Sequence, residues 1–147
     1  MSKKNQFKRY LHPLSHPTYA SAALLLIRLI MGYAFILHGQ GKIQNPMGWA
    51  GADSSYPAFF QLLAAIAEFG GGIAILLGLV TPLAALGILS TMSVALYMHV
   101  ITAGHSFVSK GGPAFELPLL YWALSLLFLA MGPGKFSLDF KLFGSRK

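Results

Sequence analysis

Arg28, His38, Lys42, Glu68, His99 and Glu116 are ionisable residues set within, or at the ends of, stretches that are otherwise almost wholly apolar. Imidazoles pass protons near neutral pH, carboxylates accept them, and Lys42 or the amide of Gln40 can donate to a ligand oxygen. At about 100° per residue, Arg28, Phe35, Gly39 and Lys42 occupy one narrow sector of a helix, with Gly32 and His38 on its edges. Gln61 and Glu68 share a second face, which Gly72 and Ile75 continue. His38, Gln40 and Lys42, then His99, Thr102 and His105, and finally Glu116 belong to three segments yet fall at one depth. They are expected to form a polar pocket walled by Phe35, Tyr97, Phe115 and Tyr121. Its catalytic candidates are His38, His99 and Glu116. With the deeper Arg28 and Glu68 included, the ligand-binding candidates are Arg28, His38, Gln40, Lys42, Glu68 and His99.

Each residue also has a plainer reading. Arg28 and Glu68 lie about 21 Å and about 16 Å from the outer ends of two antiparallel helices, close enough in depth to pair. Their side chains lean in opposite directions, which lengthens the gap and leaves room for a bridging water or ligand. Such a pair can be purely structural. The histidines can be satisfied by hydrogen bonds at helix ends. No metal is expected from His38, His99, His105 and Glu116, because no two of them show the i, i+3 or i, i+4 spacing of a specific site. His12 and His16 have that spacing, but Pro13 and Pro17 oppose the helix that would align them. The methionines read as packing residues.

The elements that must position these residues follow from composition. The 147 residues are 55% hydrophobic and only 10% charged, with a mean hydropathy of +0.61. Soluble chains carry about 25% charge, so a membrane protein is expected. The absence of cysteine excludes disulfides, thiolate nucleophiles and Cys-ligated metal centres. Between Glu68 and Lys110 there is no Asp, Glu, Lys or Arg, a gap that suits two crossings joined by a tight turn. A spanning helix needs about 20 mostly apolar residues. Four spans are read at about residues 19–41, 58–79, 82–103 and 115–131, with the Thr81 hydroxyl placed to cap the third and Pro82 opening it. The expectation is an all-α, integral membrane four-helix bundle forming a single domain, with interfacial tails at 1–18 and 132–147. Ser137 could cap a short turn in the second tail.

Orientation follows the basic residues. Lys3, Lys4, Lys8 and Arg9 precede the first span, and Lys135, Lys141, Arg146 and Lys147 follow the last, while the opposite loops carry Lys42 and Lys110. Both termini are therefore expected on the cytoplasmic side. The net charge of +7 belongs to these tails and to anionic lipid, and no nucleic acid is expected as a partner.

Three runs carry a family resemblance: RLIMGYAFILHGQGK from Arg28 to Lys42, AEFGGGIAILLGLVTPLAAL from Ala67 to Leu86, and ELPLLYWALSLLFLAMGPGKFSLD from Glu116 to Asp139. They resemble the DoxX family of small four-helix bacterial inner-membrane proteins, over a region from about Leu25 to Asp139. The resemblance implies a bacterial inner-membrane location and a component of a quinone-linked redox or quinone-detoxification system. A quinone is then the expected small-molecule partner, with a partner redox enzyme or a homo-oligomer beside it. The sequence itself shows no cofactor motif. A non-catalytic scaffold for a peripheral enzyme and a small-solute transporter are the alternative readings.

Overall fold

The computed structural model describes residues 13–52, 54 and 56–144 of the chain. The basic residues of the N-terminal tail, His12, Arg146 and Lys147, on which part of the orientation reading rests, lie outside the described residues. The regular elements are helical throughout. Helix α1 is Thr18–Gln44, α2 is Ala58–Leu77, α3 is Thr81–Thr102, α4 is Glu116–Met131 and α5 is the short Leu138–Phe143.

The first three are long and apolar enough to cross a bilayer, and α4, at 16 residues, is the shorter fourth. At 1.5 Å per residue α4 spans about 24 Å, so the chain beyond its ends must complete the crossing. The four expected helices are thus present within a few residues, three of them of spanning length. Most large apolar side chains point outward, among them Leu26, Ile30, Phe59, Leu83, Ile101 and Leu120. A surface of this kind is stable against lipid and not against water.

Without a hydrophobic driving force between helices in lipid, close backbone approach must hold the bundle. Helices α1 and α2 achieve it at glycines. A Cβ on Gly32 would stand 2.7 Å from Leu76, and one on Gly72 would stand 2.8 Å from the backbone nitrogen of Ile36. A Cβ on Gly39 would run into the backbone of Phe69. Around this contact Leu24, Met31 and Phe35 of α1 meet Ile75 of α2, Ala84, Ala85 and Ile88 of α3, and Phe128 of α4 in one small core.

Helix α2 stops at Gly78, whose left-handed φ of 65° lets Leu79 N–H bond the carbonyl of Ala74 and its own N–H bond that of Ile75. This is a Schellman ending, and α3 begins three residues later. Two single turns of π-helix interrupt the regular pattern, at Ile66–Gly70 within α2 and at Tyr97–Thr102 at the end of α3.

One local reading is corrected and another gains detail. Thr81 does not cap α3 with its hydroxyl, which is buried without a hydrogen-bond partner among the described residues; the cap is a carboxylate from the far end of the chain. The segment after α4 packs against the end of the bundle. Pro133, Gly134, Ser137 and Asp139 are all buried, because the chain turns back into the end of the bundle. Ser137 does cap the short α5, accepting the Phe140 N–H at 3.2 Å. The N-terminal approach meets this segment, with His16 Nε2 2.7 Å from the Met131 carbonyl oxygen. Both described terminal segments therefore sit at one end of the bundle, and the α1–α2 and α3–α4 loops at the other.

Candidate functional site

The buried face of α1 is Ser21, Leu24, Arg28, Met31, Gly32, Phe35 and Gly39, the sector expected from helical periodicity. Its charges are used separately. Arg28 and Lys42 lie about 21 Å apart along the helix at 1.5 Å per residue, and each has its own partners.

At the terminal end, Arg28 is 1% exposed. Its guanidinium donates from Nη1 to the Pro133 carbonyl at 3.2 Å and from Nη2 to that of Phe136 at 2.5 Å. Asp139, fully buried, supplies the opposing charge. The Asp139 carboxylate in turn accepts the N–H groups of Val80 at 2.7 Å and Thr81 at 2.8 Å, while its own N–H donates to the Gly78 carbonyl at 2.8 Å. An acidic group here satisfies orphan amides and complements the positive end of α3. Gly78 is required sterically as well, since a Cβ there would collide with the Arg28 guanidinium and Ser137. The cluster thus ties α1, the α2–α3 turn and the C-terminal segment into one knot.

At the loop end, Lys42 Nζ donates to Glu68 Oε1 at 2.6 Å. The lysine side chain is 25% exposed and the carboxylate side chain 5%. Glu68 sits in the π turn of α2, an irregularity often found at functional positions. Lys42 Nζ also lies 4.4 Å above the ring of Trp49, a cation–π arrangement. Gln61 holds the loop that carries Trp49. Its amide accepts from Ala50 N–H at 3.0 Å and donates to the Tyr56 carbonyl at 2.9 Å, and its backbone oxygen accepts the Trp49 indole N–H at 2.9 Å. A hollow of about 450 Å³ opens beneath this loop, lined by Asn45, Met47, Gly48, Tyr56, Ala58 and Gln61 among others.

The remaining candidates do not converge on one pocket. Arg28 and Glu68 are not partners. His38 is exposed on the outer face of α1, its ring centroid 6.2 Å from Phe35 and 6.4 Å from Tyr121. Gln40 and Glu116 are exposed. His99 pairs with His105, their Nδ1 atoms 3.0 Å apart. Sequence reasoning missed Asp139 and Trp49, and it placed Gln61 on the face of Glu68 without its contacts to the loop. A detectable signal existed for Asp139, one of only four acidic residues in the chain.

Apolar helices of spanning length that enclose buried charged residues define a multi-pass helical membrane protein. The profile of the DoxX family matches residues 23–101, and the chain belongs to that family. An uncharacterized protein of Haemophilus influenzae is 35% identical over 129 residues, covering 85% of this chain and 94% of its own length. The Escherichia coli inner membrane protein YqjF is 32% identical over 123 residues, covering 79% and 88%. No solved structure matches the chain.

Proposed function

We propose that this protein is a bacterial inner-membrane component of a quinone-linked redox or quinone-detoxification system, with both termini cytoplasmic, and that Lys42 and Glu68 form its ligand site. The observation that carries this reading is the Lys42–Glu68 pair itself: a buried carboxylate on a membrane-spanning helix, held by a half-buried ammonium. Ionisable groups in such places are costly and are retained where they serve a site or a proton path. The ammonium can donate to a quinone carbonyl, and the carboxylate can take or return the proton that reduction moves. Electrons come from a partner redox enzyme. His38, exposed one turn below Lys42 beside Phe35 and Tyr121, gives a lipid-borne ring a polar contact with aromatic walls. Gln40, His99 and Glu116 have weaker support, being away from the Lys42–Glu68 pair. Lys135 and Lys141, at the end where both terminal segments lie, support the orientation.

The test uses Trp49 as reporter. The chain has two tryptophans, so Trp122→Phe leaves one, 4.4 Å from the Lys42 ammonium. Titrating a soluble ubiquinone analogue into the protein in nanodiscs should quench its fluorescence saturably, and Lys42→Met and Glu68→Gln should each weaken binding by about tenfold or more, the loss of one charged hydrogen bond. Unsaturable quenching that is the same in all three proteins would overturn the quinone reading in favour of a scaffold. Fusions of a cytoplasm-dependent fluorescent reporter to the C-terminus test the orientation.

A further inference from the structure

We propose that His99 and His105 form a two-histidine chelate for a divalent transition metal of the Cu²⁺ or Ni²⁺ type, at the loop end of α3 and independent of the Lys42–Glu68 site. The backbone builds this pair. The π turn Tyr97–Thr102 carries His99 to the end of the helix, and Ala103 N–H closes back on the Met98 carbonyl at 2.9 Å. Gly104, at a left-handed φ of 62°, then reverses the chain. His105 N–H bonds the carbonyl of His99 at 2.9 Å, which fixes the two residues against each other.

The side chains follow, with Nδ1 atoms 3.0 Å apart and ring centroids 4.9 Å apart at 69°. Two nitrogens this close must share one proton or one electrophile. With metal–nitrogen bonds of about 2.05 Å, a 3.0 Å separation subtends about 94° at the metal. That is the cis angle of a tetragonal or octahedral centre, where Cu²⁺ and Ni²⁺ are at home, whereas tetrahedral zinc would require the nitrogens to move apart. Among the described residues no group of three or more His, Asp or Glu is assembled, so water completes the coordination. Both residues are half-buried, so solvent reaches the pair. Binding needs both Nδ1 lone pairs, so the proton between them must leave or move to Nε2, and acid should release the metal.

The experiment uses the full chain with any affinity tag removed, in detergent, titrated with Cu²⁺ and followed by electron paramagnetic resonance and calorimetry. The expected result is one equivalent bound with a spectrum showing nitrogen ligation. His99→Ala and His105→Ala should each weaken it at least tenfold, with the double variant little worse than either. His38→Ala and the combined His12→Ala/His16→Ala variant should leave it unchanged. Both residues are half-buried at the loop end of α3, and a monodisperse elution profile for each variant shows that the fold is intact. Unchanged Cu²⁺ binding in His99→Ala, or loss only with the His12/His16 variant, would overturn the proposal. Quinone quenching of Trp49 in His105→Ala separates it from the function proposed above, since that signal should persist.

Discussion

Asp139 and Thr81 meet at the first turn of α3, where one carboxylate oxygen accepts the Thr81 N–H at 2.8 Å and the other accepts that of Val80 at 2.7 Å. The same carboxylate supplies the charge opposite Arg28. The C-terminal segment is therefore part of the helix bundle's internal wiring, and it closes the end of the bundle at which α1 begins.

Replacing Asp139 should cost stability in two parts. Asp139→Ala removes a helix cap, about 0.5–2 kcal/mol, and takes a favourable charge away from the buried Arg28 guanidinium, which adds to the loss. Asp139→Asn keeps one acceptor oxygen and should cost less. Adding Arg28→Met to Asp139→Asn should cost more again, since the Pro133 and Phe136 carbonyls then lose their donor. Denaturant unfolding in mixed micelles, followed by circular dichroism, measures all three.

The glycines separate backbone from space. Gly78→Ala forces an alanine into the left-handed region and its Cβ into Arg28 and Ser137, so it should lower stability by more than the ~1 kcal/mol of the backbone alone. Gly39→Ala drives α1 away from the Phe69 backbone and should be comparably harmful. Gly41, on the same helix, has open space where a Cβ would stand, with no neighbour within 4 Å, and Gly41→Ala should be neutral or raise stability by up to about 1 kcal/mol through helix propensity. Thermal unfolding of the three variants in one detergent ranks them.

The four helices were legible because the length of an apolar run and the cost of charge in lipid leave few alternatives. The buried face of α1 was legible for a similar reason, since Arg28, Phe35 and Gly39 repeat at helical spacing. Partner choice was not. Depth along antiparallel helices brought Arg28 and Glu68 level, yet depth says nothing about which flanking segment folds under them. Arg28 is held by the carbonyls of Pro133 and Phe136, and backbone acceptors leave no mark in the sequence. The π turn that carries Glu68 also shifts its neighbours off the regular 100° wheel. The Gly132–Pro133–Gly134 sequence was readable as a helix stop, but the buried turn it makes depends on Ser21, whose hydroxyl accepts the Lys135 N–H at 3.2 Å.

Lys42 and Glu68 should be energetically coupled. Lys42→Met leaves a nearly buried carboxylate without its donor and should destabilise more than Glu68→Gln, whose remaining partner can reach solvent. The double variant should cost less than the sum of the singles by about 0.5–3 kcal/mol, the range for residues in direct contact. A double-mutant cycle from denaturant unfolding gives the number, and strict additivity would show the pair to be energetically idle.

Gln61 controls the environment of Trp49. Gln61→Ala deletes the bonds to Ala50 and Tyr56 but keeps the backbone carbonyl that receives the Trp49 indole. The loop then loses two of its three ties, and the N–H of Ala50 must find water. In the Trp122→Phe background, Trp49 emission should shift to longer wavelength and become more accessible to a water-soluble quencher. Lys42 loses the firm position of its aromatic neighbour in the same step, so the affinity of the quinone analogue should fall although neither charged residue has changed. Gln61→Glu separates the two effects: its carboxylate still accepts from Ala50 but cannot donate to Tyr56, so its emission should fall between that of the parent and that of Gln61→Ala.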